Sequence, residues 1–151
     1  MIEKAAWHDA YPQPRNQSPT TMQREELISR FRHGEHPGLD FLLIDLRRTD
    51  HEGGTIRGSI NLPAQSVYNS LPTLLNICKA SKIDTVVWYC EGSSQGRGTR
   101  AAAWFDDLLQ NREVTSVKSV VLLGGIAGWV QAGQDYTDLM DEYNAASWKR
   151  D

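Results

Sequence analysis

Cysteine is scarce: Cys78 and Cys90 are the only two thiols in 151 residues. That excludes a disulfide framework and, without further ligands at matching spacing, a zinc site. A reducing cytoplasmic or nuclear setting is the expectation, where a cysteine serves as packing or as chemistry. Long apolar runs are missing too. None approaches the roughly 18 residues of a bilayer span, and charge and His8 interrupt residues 1–9 before a signal-peptide core could form. Neither a membrane nor secretion is expected. Charge of one sign is also lacking: 16 basic residues against 19 acidic ones leave a net charge of −3. No basic stretch follows a phosphate backbone, so nucleic acid is not an expected partner. His8, His33, His36 and His51 show no ligand spacing beyond a loose pair at 33 and 36 in a turn. Solvated loop positions are expected for them, with no metal and no resident cofactor. Internal repeats and low-complexity segments are absent.

What is present suits one ordinary domain. An apolar share of 40% supplies a core, and a charged share of 23% is too low for wholesale disorder. Residues 1–19 read as an N-terminal arm, because Pro12, Pro14 and Pro19 oppose regular structure, with Trp7 and Tyr11 available to pin it to the body. Residues 20–151 form the domain. Thr20 or Thr21 is expected to cap a first helix with Glu25 and Glu26 in its positive first turn and Leu27, Ile28 and Phe31 on its buried stripe. Phe41-Leu42-Leu43-Ile44 and Thr85-Val86-Val87-Trp88-Tyr89 are continuous apolar runs, the pattern of strands covered on both faces. Val117 and residues 120–123 predict another strand, and Ile60-Asn61-Leu62-Pro63 is long enough only for an edge strand. Leu71, Leu74, Leu75 and Cys78 recur at helical spacing, with Pro72 tolerable in a first turn. Residues 98–111 read as helix, as does a short segment around Trp129, and the tail from 136 to 148 is expected to be helical. Strands alternating with helices predict a three-layer α/β domain with a mainly parallel sheet. In such folds ligands collect beyond the carboxyl ends of the strands, here Asp45 to Arg47, Cys90 onward, and Gly124-Gly125.

The segment Tyr89-Cys90-Glu91-Gly92-Ser93-Ser94-Gln95-Gly96-Arg97-Gly98 carries the sharpest chemical signal. A buried strand ends on a cysteine, a polar glycine-rich loop follows, and an arginine stands where a helix begins. Loop N–H groups and a helix N-terminus aimed at one spot make an anion cradle. The same positive field favours thiolate over thiol. Arg97 can return over the loop and fork two hydrogen bonds to an oxyanion. Gly92, Gly96 and Gly98 permit a tight inward path, so Glu91, Gly92, Ser93, Ser94, Gln95, Gly96 and Gly98 form the expected oxyanion-binding set around catalytic Cys90 and Arg97. Cys78 completes an apolar stripe, so a core role is expected, with a resolving thiol as the other reading. Arg100, one turn further on, is a fallback anion ligand or else a solvated helix residue, and Arg57 stands either at the pocket rim or as an ordinary surface arginine. Glu91, Asp50 and Glu52 are candidate proton donors to a leaving group. Asp45 is expected to be structural, holding loop N–H groups or Arg47.

Four segments then appear in a familiar order: Asp45-Leu46-Arg47, Glu52-Gly53-Gly54-Thr55-Ile56-Arg57-Gly58-Ser59-Ile60-Asn61-Leu62-Pro63, the cysteine loop, and Leu123-Gly124-Gly125-Ile126-Ala127-Gly128-Trp129. Together they resemble the rhodanese-like superfamily across about residues 20 to 135. The resemblance implies an α/β/α domain with a central parallel five-stranded sheet and the cysteine at the bottom of a shallow pocket. Sulfurtransferases of this superfamily typically place four residues between cysteine and arginine. The dual-specificity phosphatases of mitosis and the eukaryotic arsenate reductases place five, in a loop that can read Cys-Glu-Phe-Ser-Ser-Glu-Arg-Gly. The present loop resembles that branch with one glycine added, and its six intervening residues depart from both patterns. The branch implies attack by a Cys90 thiolate on a small tetrahedral oxyanion or a phosphorylated substrate, with glutathione or another thiol as reductant where the substrate is arsenate. Sulfur transfer from a donor through a Cys90 persulfide is the alternative, and a non-catalytic protein-binding module the third reading.

Overall fold

The computed structural model describes residues 6–92 and 96–149. Along the chain run β1 (Thr21–Met22), α1 (Arg24–Arg32), β2 (Leu42–Asp45), β3 (Thr55–Ile56), β4 (Ile60–Asn61), α2 (Ala64–Val67), α3 (Leu71–Ser81) and β5 (Thr85–Tyr89). They are followed by α4 (Arg97–Asn111), β6 (Lys118–Leu122), α5 (Gly125–Gln131), α6 (Gln134–Thr137) and β7 (Met140–Asp141). Strands in the order β1-β6-β5-β2-β4 form one five-stranded sheet, and every pairing in it is parallel. The three-layer α/β/α arrangement expected from the sequence is the one the chain adopts.

Every residue of β2 and β5 is buried, because alternate side chains enter two separate cores. Leu42, Ile44, Val86 and Trp88 meet Leu71, Leu75 and Cys78 of α3 and Ala101, Ala102 and Phe105 of α4. Leu43, Val87 and Tyr89 point the other way, toward Leu27 and Ile28 of α1 and Ile126 and Trp129 of α5. Covering both faces brings the ends of β2 and β5 and the start of α4 to one edge.

Two elements depart from the sequence reading. Thr21 is not a helix cap: residues 21–22 form an edge strand beside β6, tied by Val121 N–H to Thr20 O at 2.9 Å and Leu123 N–H to Met22 O at 3.0 Å. Helix α1 is instead entered through Gln23 and its capping partner Glu26. A two-residue strand shows no alternation, so periodicity could not reveal it. The tail is not one helix either. It makes the short α6, then β7 pairs antiparallel with β3, and a single 3-10 turn covers Ala145–Trp148. Its hydrogen bonds reach the loop after β2, where the Asn144 backbone N–H and the Trp148 indole Nε1–H both donate to Gly53 O, at 3.1 and 2.9 Å. Gly54, at φ +101°, makes this closeness possible, since a Cβ there would lie 2.8 Å from Asp141 O. At the other terminus, Trp104 of α4 donates to Pro12 O at 2.8 Å and Tyr11 Oη donates to Gln65 O at 3.1 Å, which seats the arm on the domain.

Candidate active site

Cys90 follows β5 directly, and its position is set by backbone before any side chain acts. Its carbonyl accepts from Ile126 N–H at 3.0 Å, and the Glu91 carbonyl accepts from Ala127 N–H at 2.8 Å. The loop therefore begins docked on the first turn of α5. Gly125 is required for this contact: it sits at φ +56°, and a Cβ on it would lie 2.5 Å from Cys90 O. Gly98 is also a packing glycine, since its missing Cβ would stand 3.1 Å from Val121 Cγ2 as α4 crosses the sheet end. Neither Gly92 nor Gly98 adopts a left-handed φ. Ser93, Ser94 and Gln95 lie outside the described residues, and with them the middle of the expected cradle.

Cys90 is only 4% exposed and belongs to the same buried cluster as Leu46 and Ala101. It is nevertheless not sealed among hydrocarbons, because Arg97 opens α4 beside it. Two groups support the positive charge on Arg97. Hydrogen bonds donated to Asp50 act first and raise its pKa against the effect of burial, and Cys90 adds to this through charge and a side-chain hydrogen bond. The Asp50 contact is a two-pronged one. Arg97 Nη1 reaches Oδ1 at 2.9 Å and Nη2 reaches Oδ2 at 2.5 Å. The fork expected to face an oxyanion is thus held by a carboxylate of the chain itself. Arg97 hydrogen bonding, aided by the Arg48 N–H, holds the Asp50 carboxyl well below its ordinary range although partial burial opposes this. In this arrangement Asp50 is an anion and carries no proton for a leaving group.

Beneath this pair lies a second, fully buried one. Arg47 Nη2 and Nε bond Asp45 Oδ2 and Oδ1 at 2.8 and 3.0 Å, with both side chains at zero exposure. Arg47 also donates to the carbonyls of Glu52 at 3.1 Å and Gly54 at 2.8 Å, so one guanidinium holds the loop that carries Asp50. Asp45 Oδ2 further accepts from Thr55 Oγ1 at 2.8 Å and lies 3.4 Å from His51 Nε2. Tyr89 Oη closes the network against Thr55, Ser59 and Ile56 N–H, and burial, reinforced by the charge of Asp45, pushes its phenol far above the usual range. Asn61 Nδ2 bonds the carbonyls of both Asp45 and Arg47. Tyr89, Thr55, Ser59 and Asn61 were not singled out in the sequence, where their only signal was membership of a quoted motif.

Other expected site residues are elsewhere. Arg57 donates to Asp138 O at 2.8 Å and so fastens the tail rather than standing at a pocket rim. The Arg100 guanidinium lies 5.7 Å from the centre of the Trp7 ring, facing the arm. Glu52 is exposed. A cavity of about 720 Å³ opens between the arm and α4, and among its lining are Asn16, Gly96, Thr99 and Arg100 but neither Cys90 nor Arg97. Among the described residues no cluster of three or more His, Cys, Asp or Glu could hold a metal ion, and no helix is long and apolar enough to cross a membrane.

Cys78 is fully buried in the α3 stripe, and burial pushes its thiol up to about 11 from an ordinary 9.0. A proton retained in the native state but released in the unfolded chain makes stability fall as pH rises. That contribution is complete below pH 9.0 and is lost as pH passes about 11. Iodoacetamide at pH 8 is expected to leave Cys78 unmodified in the native protein and to modify it in urea, as peptide mass spectrometry would read. Rapid native labelling would make it a candidate resolving thiol.

With this geometry in place, the comparison with known proteins is informative. Residues 23–132 match the rhodanese-like domain family. The chain is a member of that family. Arsenical-resistance protein 2 of Saccharomyces cerevisiae is 32% identical over 102 residues, covering 63% of this chain and 78% of that protein. An As-Sb reductase from Leishmania major superposes with a TM-score of 0.70 at 25% identity, over 81% of this chain and 84% of its own. A yeast protein tyrosine phosphatase of the rhodanese family superposes with a TM-score of 0.64 at 22% identity, over 89% and 99% of the two chains, and shares the fold. This rhodanese-like domain therefore resembles two proteins named for arsenic chemistry, whereas the phosphatase shows the shared fold alone.

Proposed function

We propose that this rhodanese-like domain is a cysteine-dependent arsenate reductase. The observation that carries the reading is Cys90 at the carboxyl end of a central strand, with Arg97 opening the helix that follows. Arsenate is a tetrahedral oxyanion that a guanidinium fork can hold. Attack by the Cys90 thiolate on arsenic breaks one arsenic–oxygen bond, that oxygen takes up a proton from solvent and leaves as water, and a covalent sulfur–arsenic bond remains. A small thiol such as glutathione then attacks the Cys90 sulfur. The electron pair of the sulfur–arsenic bond passes to arsenic, arsenite leaves, and a mixed disulfide remains. A second thiol reduces that disulfide and restores Cys90, so two thiols become one disulfide for each arsenate reduced. The likeness to an arsenical-resistance protein and to an As-Sb reductase supports this order of preference. Phosphatase action is the second reading, favoured by the same thiolate and fork and by the longer loop. It requires a proton donor to the leaving group.

The test incubates purified protein with arsenate and glutathione, with an aryl phosphate, and with thiosulfate and cyanide. Arsenite formation is the expected result. Phosphate release without arsenite would move the assignment to the phosphatase reading, and thiocyanate alone would overturn both in favour of sulfur transfer.

A further inference from the structure

Asp50 has no part in the reaction just described, yet it is the residue that holds Arg97. Its grip is built with care by the fold. Arg48 N–H donates to Asp50 Oδ1 at 3.1 Å and orients the carboxylate. Arg47 fastens the neighbouring carbonyls of Glu52 and Gly54 from below, while Asn144 and Trp148 clamp Gly53 from the tail. The pair nevertheless lies at the surface, with the Arg97 and Asp50 side chains 23% and 33% exposed, so it can part without opening a core.

We propose that Asp50 is an internal competitor for the Arg97 fork and thereby decides which anions reach Cys90: a tetrahedral dianion displaces it, and a dissolved monocarboxylate does not. The proposal rests on the reading of Cys90 and Arg97 as an oxyanion site. A bare guanidinium fork fits any carboxylate, and carboxylates are common solutes. A carboxylate tethered in the same chain acts at an effective concentration of about millimolar or more, which a free carboxylate of the same charge and shape does not overcome. A tetrahedral dianion brings a second charge and additional oxygens, so it gains where the carboxylate only exchanges like for like. Asp50 is then a specificity-determining residue, released as the substrate enters.

Calorimetric titration at constant ionic strength, with sodium sulfate and sodium formate as probes, tests this on the full chain and on Asp50→Asn and Asp50→Ser. Sulfate is dianionic at neutral pH, so its own titration does not intervene. Both variants are expected to bind sulfate about tenfold more tightly than the wild type, a change of about 1.4 kcal/mol. They should also acquire formate binding that the wild type lacks. A crystal structure of the wild-type sulfate complex should show the Arg97 fork on sulfate and the Asp50 carboxylate out of hydrogen-bond reach. Unchanged sulfate affinity in folded variants, or an intact Arg97–Asp50 pair beside bound sulfate, overturns the competitor role and leaves the oxyanion site standing. Should neither the wild type nor either variant bind sulfate, the oxyanion site itself falls. If both variants fail to fold, the wild-type complex decides alone.

Discussion

Cys90→Ser is expected to lower arsenite formation at least about 1000-fold, the scale on which losing a nucleophile acts. The reason is electronic as well as kinetic. A serine hydroxyl is not ionised near neutral pH, so attack on arsenic slows. Even if an oxygen–arsenic adduct formed, a second thiol could not reduce it, because the two electrons reach arsenic only when a sulfur–sulfur bond is made. Position 90 is nearly buried, so a hydroxyl there costs about 1–3 kcal/mol if unpaired, and circular dichroism must accompany the assay. Cys90→Ala supplies the second reading without a polar atom. Arsenite production by folded Cys90→Ala near the wild-type rate would refute the thiolate mechanism.

Arg47→Met is expected to have the largest effect on stability. It keeps much of the side-chain length and removes the charge, leaving the Asp45 carboxyl group at zero exposure without its guanidinium partner and the carbonyls of Glu52 and Gly54 without their donor. Breaking one half of a buried pair costs about 3–5 kcal/mol. A domain is stable by only about 5–15 kcal/mol, so the urea midpoint should fall by a large fraction with the slope nearly unchanged. The double substitution Asp45→Leu with Arg47→Met should recover part of the loss, since no isolated charge remains. A midpoint shift worth less than about 1 kcal/mol in Arg47→Met would mean that the buried pair is not what holds the loop.

Much of the scaffold could be read before any coordinates. Strands β2, β5 and β6 and helices α3 and α4 declare themselves because burial on one or two faces leaves a periodic or continuous apolar pattern in the chain. The pairing of Cys90 with a following arginine is also local, since both stand within a few residues of one strand end and one helix start. Elements made of two residues carried no such pattern. Met22 looked like helix entry, and Met140 looked like part of a helical tail, because a strand that short is defined by its partner rather than by itself.

Sequence alone determined the layered α/β class, the candidate nucleophile and the arginine that follows it, since each depends on neighbours in the chain. Tertiary structure decided what faces that arginine. Asp50 lies 47 positions away from Arg97, and three carboxylates, Asp50, Glu52 and Glu91, were equal candidates for a role near the sulfur. The choice came from Arg47 holding the loop from within and the tail holding it from outside. Contacts between such distant segments follow from how layers pack, and no local periodicity records them.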